Sequence, residues 1–143
     1  KLDELEQEYD VVVVDFPGSL NLNTKTLQIL PLLDTIFIPL YVDRNSFSST
    51  YNFYKEILQL KKEGKINGMV KCFFNKYNTG TKKNAGVFRD LLSKKDDLGL
   101  DILDNHVYED TALENYSTIR KVRYSPAPKS ILHWVEEIYY TIK

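Results

Sequence analysis

Residues Tyr9 to Asp15 read Tyr-Asp-Val-Val-Val-Val-Asp. Four consecutive β-branched side chains favour a strand over a helix, because each is stiff at its first torsion. They also leave no polar residue for a wet face. A continuous apolar run that ends in a turn is the pattern of a strand buried on both faces, which is the habit of parallel sheets. This run therefore predicts a layered chain with helices packed over its strands.

Three further runs extend the pattern: Thr35 to Leu40, Gly68 to Asn75 and, more weakly, Leu100 to Val107. Pro39 cannot donate to a ladder, so it is expected near the end of its strand. Helical spacing fills the gaps. Phe47, Tyr51, Tyr54 and Leu58 recur at intervals of four and three, with Gly64 as a stop. Val87, Phe88, Leu91 and Leu92 mark a second helix opened by Asn84. Ile131, Val135, Ile138 and Ile142 mark a last one after Pro126 and Pro128, and residues 23–33 form another that ends near Pro31. Alternating strands and helices predict an α/β fold, a mostly parallel sheet with helices on both faces. No repeat or linker divides the chain, so residues 1–143 are expected to be a single α/β domain.

Charge and composition remove several functions. Nineteen Lys and Arg against 20 Asp and Glu leave a formal net charge of −1, which excludes a strongly basic nucleic-acid coat. One cysteine, Cys72, excludes a disulfide framework and a multi-cysteine zinc site. Two histidines, His106 and His133, leave little for a histidine metal cluster. No apolar run approaches the roughly 18 residues that span a bilayer, and no signal peptide is visible. A reducing cytoplasm is the expected compartment. The chain opens on Lys1 rather than Met. It is expected to be processed or to be a piece of a longer protein.

In parallel sheets, ligands bind at the carboxyl ends of the strands. The residues to inspect are 15–18, 41–44, 75–78 and 108–110. Asp15 ends the valine run, and Pro17-Gly18 turns the chain so that backbone amides near Gly18 can approach an anion. A carboxylate there can hold Mg²⁺, directly or through its water shell, beside phosphates. Equally, it can simply cap the next turn.

The twelve residues Tyr9-Asp10-Val11-Val12-Val13-Val14-Asp15-Phe16-Pro17-Gly18-Ser19-Leu20 resemble the Walker B and switch II segment of the ParA/MinD ATPases, deviant Walker A members of the P-loop class. Leu33 to Leu40, with its Asp34 and Pro39, resembles that family's following strand. Asp43-Arg44 and the helix after it sit where the family places its next loop and helix. Ile66 to Tyr77 looks like the strand that ends in the adenine-contacting Asn, here Asn75. Order and spacing are most similar to the ParA-type proteins of conjugative transposons. The resemblance covers most of the chain. It implies ATP or ADP with Mg²⁺ as cofactors of the parent protein, Asn75, Pro17 and Gly18 as nucleotide-binding residues, and Asp15 as a metal residue acting through water. It further implies a face-to-face dimer, non-specific DNA binding and a partner protein in partitioning or conjugation.

One part of that family's machinery is missing from the sequence. No GxxxxGK[ST] loop occurs: Gly64-Lys65 is followed by Ile66, and Gly80-Thr81-Lys82-Lys83 has the wrong order. Only eight residues precede Tyr9, where the family would place its loop strand earlier still. The chain is thus expected to be the C-terminal portion of a ParA-like ATPase, with no catalytic residue of its own, unable to hydrolyse ATP alone and not binding nucleotide tightly by itself. Phosphoryl transfer rests on positioning and charge stabilisation. A sheet lacking its central strand would expose edges, so self-association is also expected.

Other features carry two readings each. Asn75 is either a base contact or a turn former at a strand end. Asp43 and Arg44 are either a pair facing a second subunit or a solvated loop pair. Lys61, Lys62, Lys65, Lys71, Lys76, Lys82 and Lys83 form one basic stretch, and Arg120, Lys121, Arg123 and Lys129 another; each is either a DNA contact or solvated charge. His106, His133, Cys72 and Trp134 read as structural. Two other functions compete with the ATPase reading. A non-catalytic interaction module that has lost nucleotide binding is the alternative. A phosphoacceptor receiver domain fits poorly, because Pro17 follows Asp15 by two and Asp15 lies on the first strand.

Overall fold

The computed structural model describes residues 2–16, 24–42, 44–77, 82–109 and 127–143. Pro17, Gly18, Asp43, Asn78, Arg120, Lys121 and Arg123 lie outside them. Helix α1 spans Leu2–Glu8 and α2 spans Thr24–Ile29, followed by a 3₁₀ turn over Leu30–Leu32. Strand β1 (Thr35–Leu40), helix α3 (Arg44–Lys62) and strand β2 (Met69–Phe74) come next. Helix α4 (Lys82–Ser93) and helix α5 (Ala127–Ile142) complete the described elements. The helices at residues 44–62, 82–93 and 127–142 fall where the apolar spacing places them. The short helix α1 had no expectation attached.

The fold is mixed α/β with a small parallel sheet. β1 and β2 pair in parallel from Thr35 opposite Met69 to Leu40 opposite Phe74, joined by α3 as the crossover. Side chains alternate along a strand. Ile36, Ile38 and Leu40 of β1 and Val70, Cys72 and Phe74 of β2 therefore share one face. They form the core with Tyr54 and Ile57 of α3 and Phe88 of α4. Phe73 points the other way and meets Trp134 of α5, ring centroids 4.8 Å apart.

Hydrogen bonds fix which edge of β1 is used. The Asp34 carbonyl accepts from Met69 N–H at 2.8 Å, and the Leu40 carbonyl accepts from Asn75 N–H at 2.9 Å. Even-numbered backbone groups of β1 thus face β2, and Thr35, Phe37 and Pro39 face the opposite edge. Pro39 sits one residue before the strand end, with its donor-less nitrogen on the side away from β2. No rung to β2 is lost, which is how proline is tolerated on an edge strand. Among the described residues no strand pairs with that edge.

Two sequence expectations need correction. Val11 to Phe16 forms neither helix nor strand, and no ladder includes it. Val11 is 49% and Val13 86% exposed, whereas Val12 and Val14 are half-buried and Phe16 packs against the core. The run thus shows one inner and one outer face instead of burial on both. Burial on both faces needs hydrogen-bonded neighbours at the edges to hold the strand in a sheet, and among the described residues this run has none. Second, the weak fourth strand reduces to two isolated parallel bridges, Ile102 with Cys72 and Tyr108 with Tyr77. Between them, Asp104 and Asn105 give their N–H groups to the Glu137 carboxylate instead of to a ladder, at 2.6 and 2.7 Å.

Two glycines hold close geometry. Gly64 has φ +72°, and it closes α3 with paired bonds, Gly64 N–H to the Lys61 carbonyl at 3.0 Å and Lys65 N–H to the Leu60 carbonyl at 2.9 Å. These are the two bonds of a Schellman cap, where a left-handed residue is required. At Gly68, a Cβ would lie 2.2 Å from the Leu33 carbonyl oxygen. Only glycine allows that approach before β2.

Candidate functional site

The carboxyl ends of β1 and β2 carry Tyr41 and Asn75. Asn75 forms the last rung of the sheet through its N–H. Its side chain is held on both ends. Lys76 N–H donates to Asn75 Oδ1 at 3.0 Å, and Asn75 Nδ2 donates to the Tyr41 hydroxyl at 3.5 Å. Because a backbone N–H can only donate, it identifies Oδ1 and so sets the amide orientation.

A change of register follows Asn75 on the other edge of β2. Cys72 and Phe74, both even, bond to the 101–107 segment: Cys72 N–H to the Asp101 carbonyl at 2.7 Å, Val107 N–H to the Phe74 carbonyl at 2.9 Å. The next residue to do so is Tyr77, at 3.0 Å to the Val107 carbonyl. An odd residue has taken an even place, so one extra residue is inserted. Lys76 absorbs it with φ +53°, the left-handed region that a lysine seldom enters. This is a β-bulge, a device that re-aims side chains at strand ends. Left-handed non-glycine residues persist where the surroundings over-determine them, and they cluster at functional sites.

Beyond the bulge, an aromatic cluster closes the end of the sheet. Tyr77 stacks on Phe88 with centroids 4.3 Å apart, and His106 meets Phe88 edge-on at 4.9 Å and Phe74 at 5.7 Å. His106 Nδ1 is buried and has no hydrogen-bond partner. Burial pushes the imidazole below its usual range, partly offset by the backbone of Asn105 and the nearby Glu137 and Asp104 charges. Burial likewise pushes the Cys72 thiol up to about 12, with Asp101 adding to it. Both residues thus have structural surroundings: a caged imidazole and an inert thiol. His133 is exposed on α5, and Trp134 packs on Phe73.

Asp15 is exposed at the end of the valine run. Among the described residues no hydrogen bond or ion pair joins it to Asn75, Tyr41 or Lys76. Nor is any group of three or more His, Cys, Asp and Glu placed to hold a metal ion among them.

Three of the seven lysines of the first basic stretch are engaged within the chain. Lys61 Nζ donates to the Gly68 carbonyl at 2.9 Å, Lys65 pairs with Glu63 at 2.7 Å, and Lys71 reaches both oxygens of Asp101 at 2.9 and 2.8 Å. Lys62 and Lys76 remain exposed.

The sequence points to Asn75 and places Tyr41 only as a residue after a strand. The link between them was not visible, since 34 residues separate them. The Glu137 contact with residues 104–105 was also missed, and no local pattern signals it. Compared with known proteins, the chain matches no protein-family model and no curated protein sequence.

Proposed function

We propose that this chain is the C-terminal portion of a ParA/MinD-type ATPase, a nucleotide-dependent switch in the partitioning or conjugative transfer of mobile DNA. The observation that carries the reading is the oriented Asn75 carboxamide at the carboxyl end of two parallel strands. That is where open α/β sheets bind ligands, and a carboxamide offers the donor and acceptor that match an adenine edge. Four motifs in the family's order support the same reading.

In this proposal the sheet of the whole protein is larger and mostly parallel, with helices on both faces. The strand bearing the glycine-rich loop pairs with the edge of β1 that lacks a neighbour among the described residues. ATP or ADP binds with its base at Asn75 and its phosphates near Pro17 and Gly18. Mg²⁺ is held beside them by Asp15 through water. The loop lysine comes from sequence outside residues 1–143, so this chain alone does not turn over ATP. The nucleotide-bound form pairs with a second copy in the cytoplasm and answers to a partition or conjugation partner. Lys61, Lys65 and Lys71 are engaged within the chain, so any DNA contact falls to other basic residues.

A fluorescent ATP analogue titrated into the intact gene product tests this. Tight Mg²⁺-dependent binding is expected, and Asp15→Asn is expected to remove its Mg²⁺ dependence. Absence of nucleotide binding by the intact product would sink the proposal. The second reading, an interaction module without nucleotide, is favoured by one observation: Val11 and Val13 lie exposed, as a docking strand would.

A further inference from the structure

We propose that Tyr41 is a positioning residue for Asn75, anchoring the nitrogen end of a carboxamide whose direction the Lys76 N–H sets, so that its free donor and acceptor meet a purine base. This rests on the nucleotide reading of the same crevice. An asparagine side chain has two donor hydrogens and two acceptor lone pairs. Lys76 N–H takes one lone pair at 3.0 Å. The Tyr41 hydroxyl takes one hydrogen at 3.5 Å, a long contact that orients without saturating. One donor and one acceptor remain for a ligand. A purine such as adenine offers an amino group next to a ring nitrogen, the complement of that pair.

The backbone on either side is fixed by independent features. Asn75 N–H is bonded to the Leu40 carbonyl, which directly precedes Tyr41. On the other flank, the Lys76 N–H points back at Oδ1. With both neighbours anchored, the freedom left is rotation of the amide itself. The Lys76 N–H opposes a flip, which would turn an amide nitrogen toward it, and the Tyr41 hydroxyl adds a second anchor at Nδ2 that limits twisting of the amide.

The test follows the Asn75 side-chain NH₂ pair by nitrogen-15 NMR in the intact gene product, with AMP as the probe. AMP is chosen because base contacts alone are in question, and millimolar binding suffices. In the wild type, AMP is expected to shift the Asn75 NH₂ signals. In Tyr41→Phe the half-saturating AMP concentration is expected to rise about tenfold, a loss typical of one orienting hydrogen bond. The unliganded NH₂ pair should also lose its fixed environment while the backbone spectrum stays in place. Equal titrations of Tyr41→Phe and wild type would overturn the positioning role and leave the base site standing. No AMP response at Asn75 in either protein would overturn both. Asn75→Asp provides a check independent of Tyr41→Phe folding. It keeps the acceptor for Lys76 N–H and loses the donor, so the Lys76 amide should no longer respond to AMP. A response equal to wild type would overturn the proposal.

Discussion

The Glu137 carboxylate of α5 accepts from Asn105 twice, from the backbone N–H at 2.7 Å and from Nδ2 at 2.9 Å. A third bond, from Asp104 N–H at 2.6 Å, completes the clasp. None of the described side chains of α5 is fully buried. The helix is thus held by this polar clasp and by Trp134 against Phe73, and not by deep insertion into the core.

Glu137→Ala should therefore loosen α5 more than its exposure suggests. Two backbone N–H groups and one amide lose a charged acceptor, worth about 1–3 kcal/mol in total after water replaces it. Trp134 is the only tryptophan, so its emission reports the docking of α5. A red shift and an earlier urea midpoint are expected; unchanged emission and midpoint would show that the clasp contributes nothing.

Gly68→Ala should be among the most damaging single changes. Its new methyl would lie 2.2 Å from the Leu33 carbonyl oxygen and 2.8 Å from that of Asp34. Backbone atoms cannot step aside without breaking the first rung of the sheet, so a loss of about 3 kcal/mol or more is expected. Thermal melting of the variant measures it.

His106 makes stability depend on pH. Its folded-state pKa is lowered from 6.5 by burial. Below about 6.5 the unfolded chain takes a proton that the folded chain refuses. The stabilisation is thus present above that pH and is lost as pH falls toward the depressed folded value. His106→Phe should flatten this acid limb, as followed by urea midpoints at pH 7.5 and 5. A limb of equal slope in the variant would assign it to other groups.

Cys72 is 0% exposed, and its thiol is pushed up to about 12. Alkylation needs the thiolate and access. Labelling by iodoacetamide at pH 8 should proceed only as fast as the chain opens, and should become rapid in urea. Fast labelling in buffer would contradict the buried β2.

Much of the architecture was legible because it follows local periodicity. The spacing of Phe47, Tyr51, Tyr54 and Leu58 gave α3, and Gly64 marked its end. Thr35–Leu40 and Met69–Phe74 were readable as strands because they are β-branched or aromatic and bounded by turns. The valine run at 11–14 was misread for a physical reason: β-propensity states what a segment can do, and pairing depends on a neighbour. Residues 100–107 fell short of a strand where a distant carboxylate, Glu137, takes the Asp104 and Asn105 donors between the two bridges. Asn75 was legible as a candidate through resemblance. The Tyr41 contact and the left-handed Lys76 were not, since a bulge arises from three segments meeting and leaves no spacing in the chain.

The most direct test measures Mg-ATP affinity of the intact gene product and of its Asn75→Ala variant, with CTP as the comparison base. Tight ATP binding is predicted, preferred over CTP, with Asn75→Ala losing about tenfold for ATP and little for CTP. No ATP binding, or equal loss for both nucleotides, would contradict the assignment of Asn75 to the base.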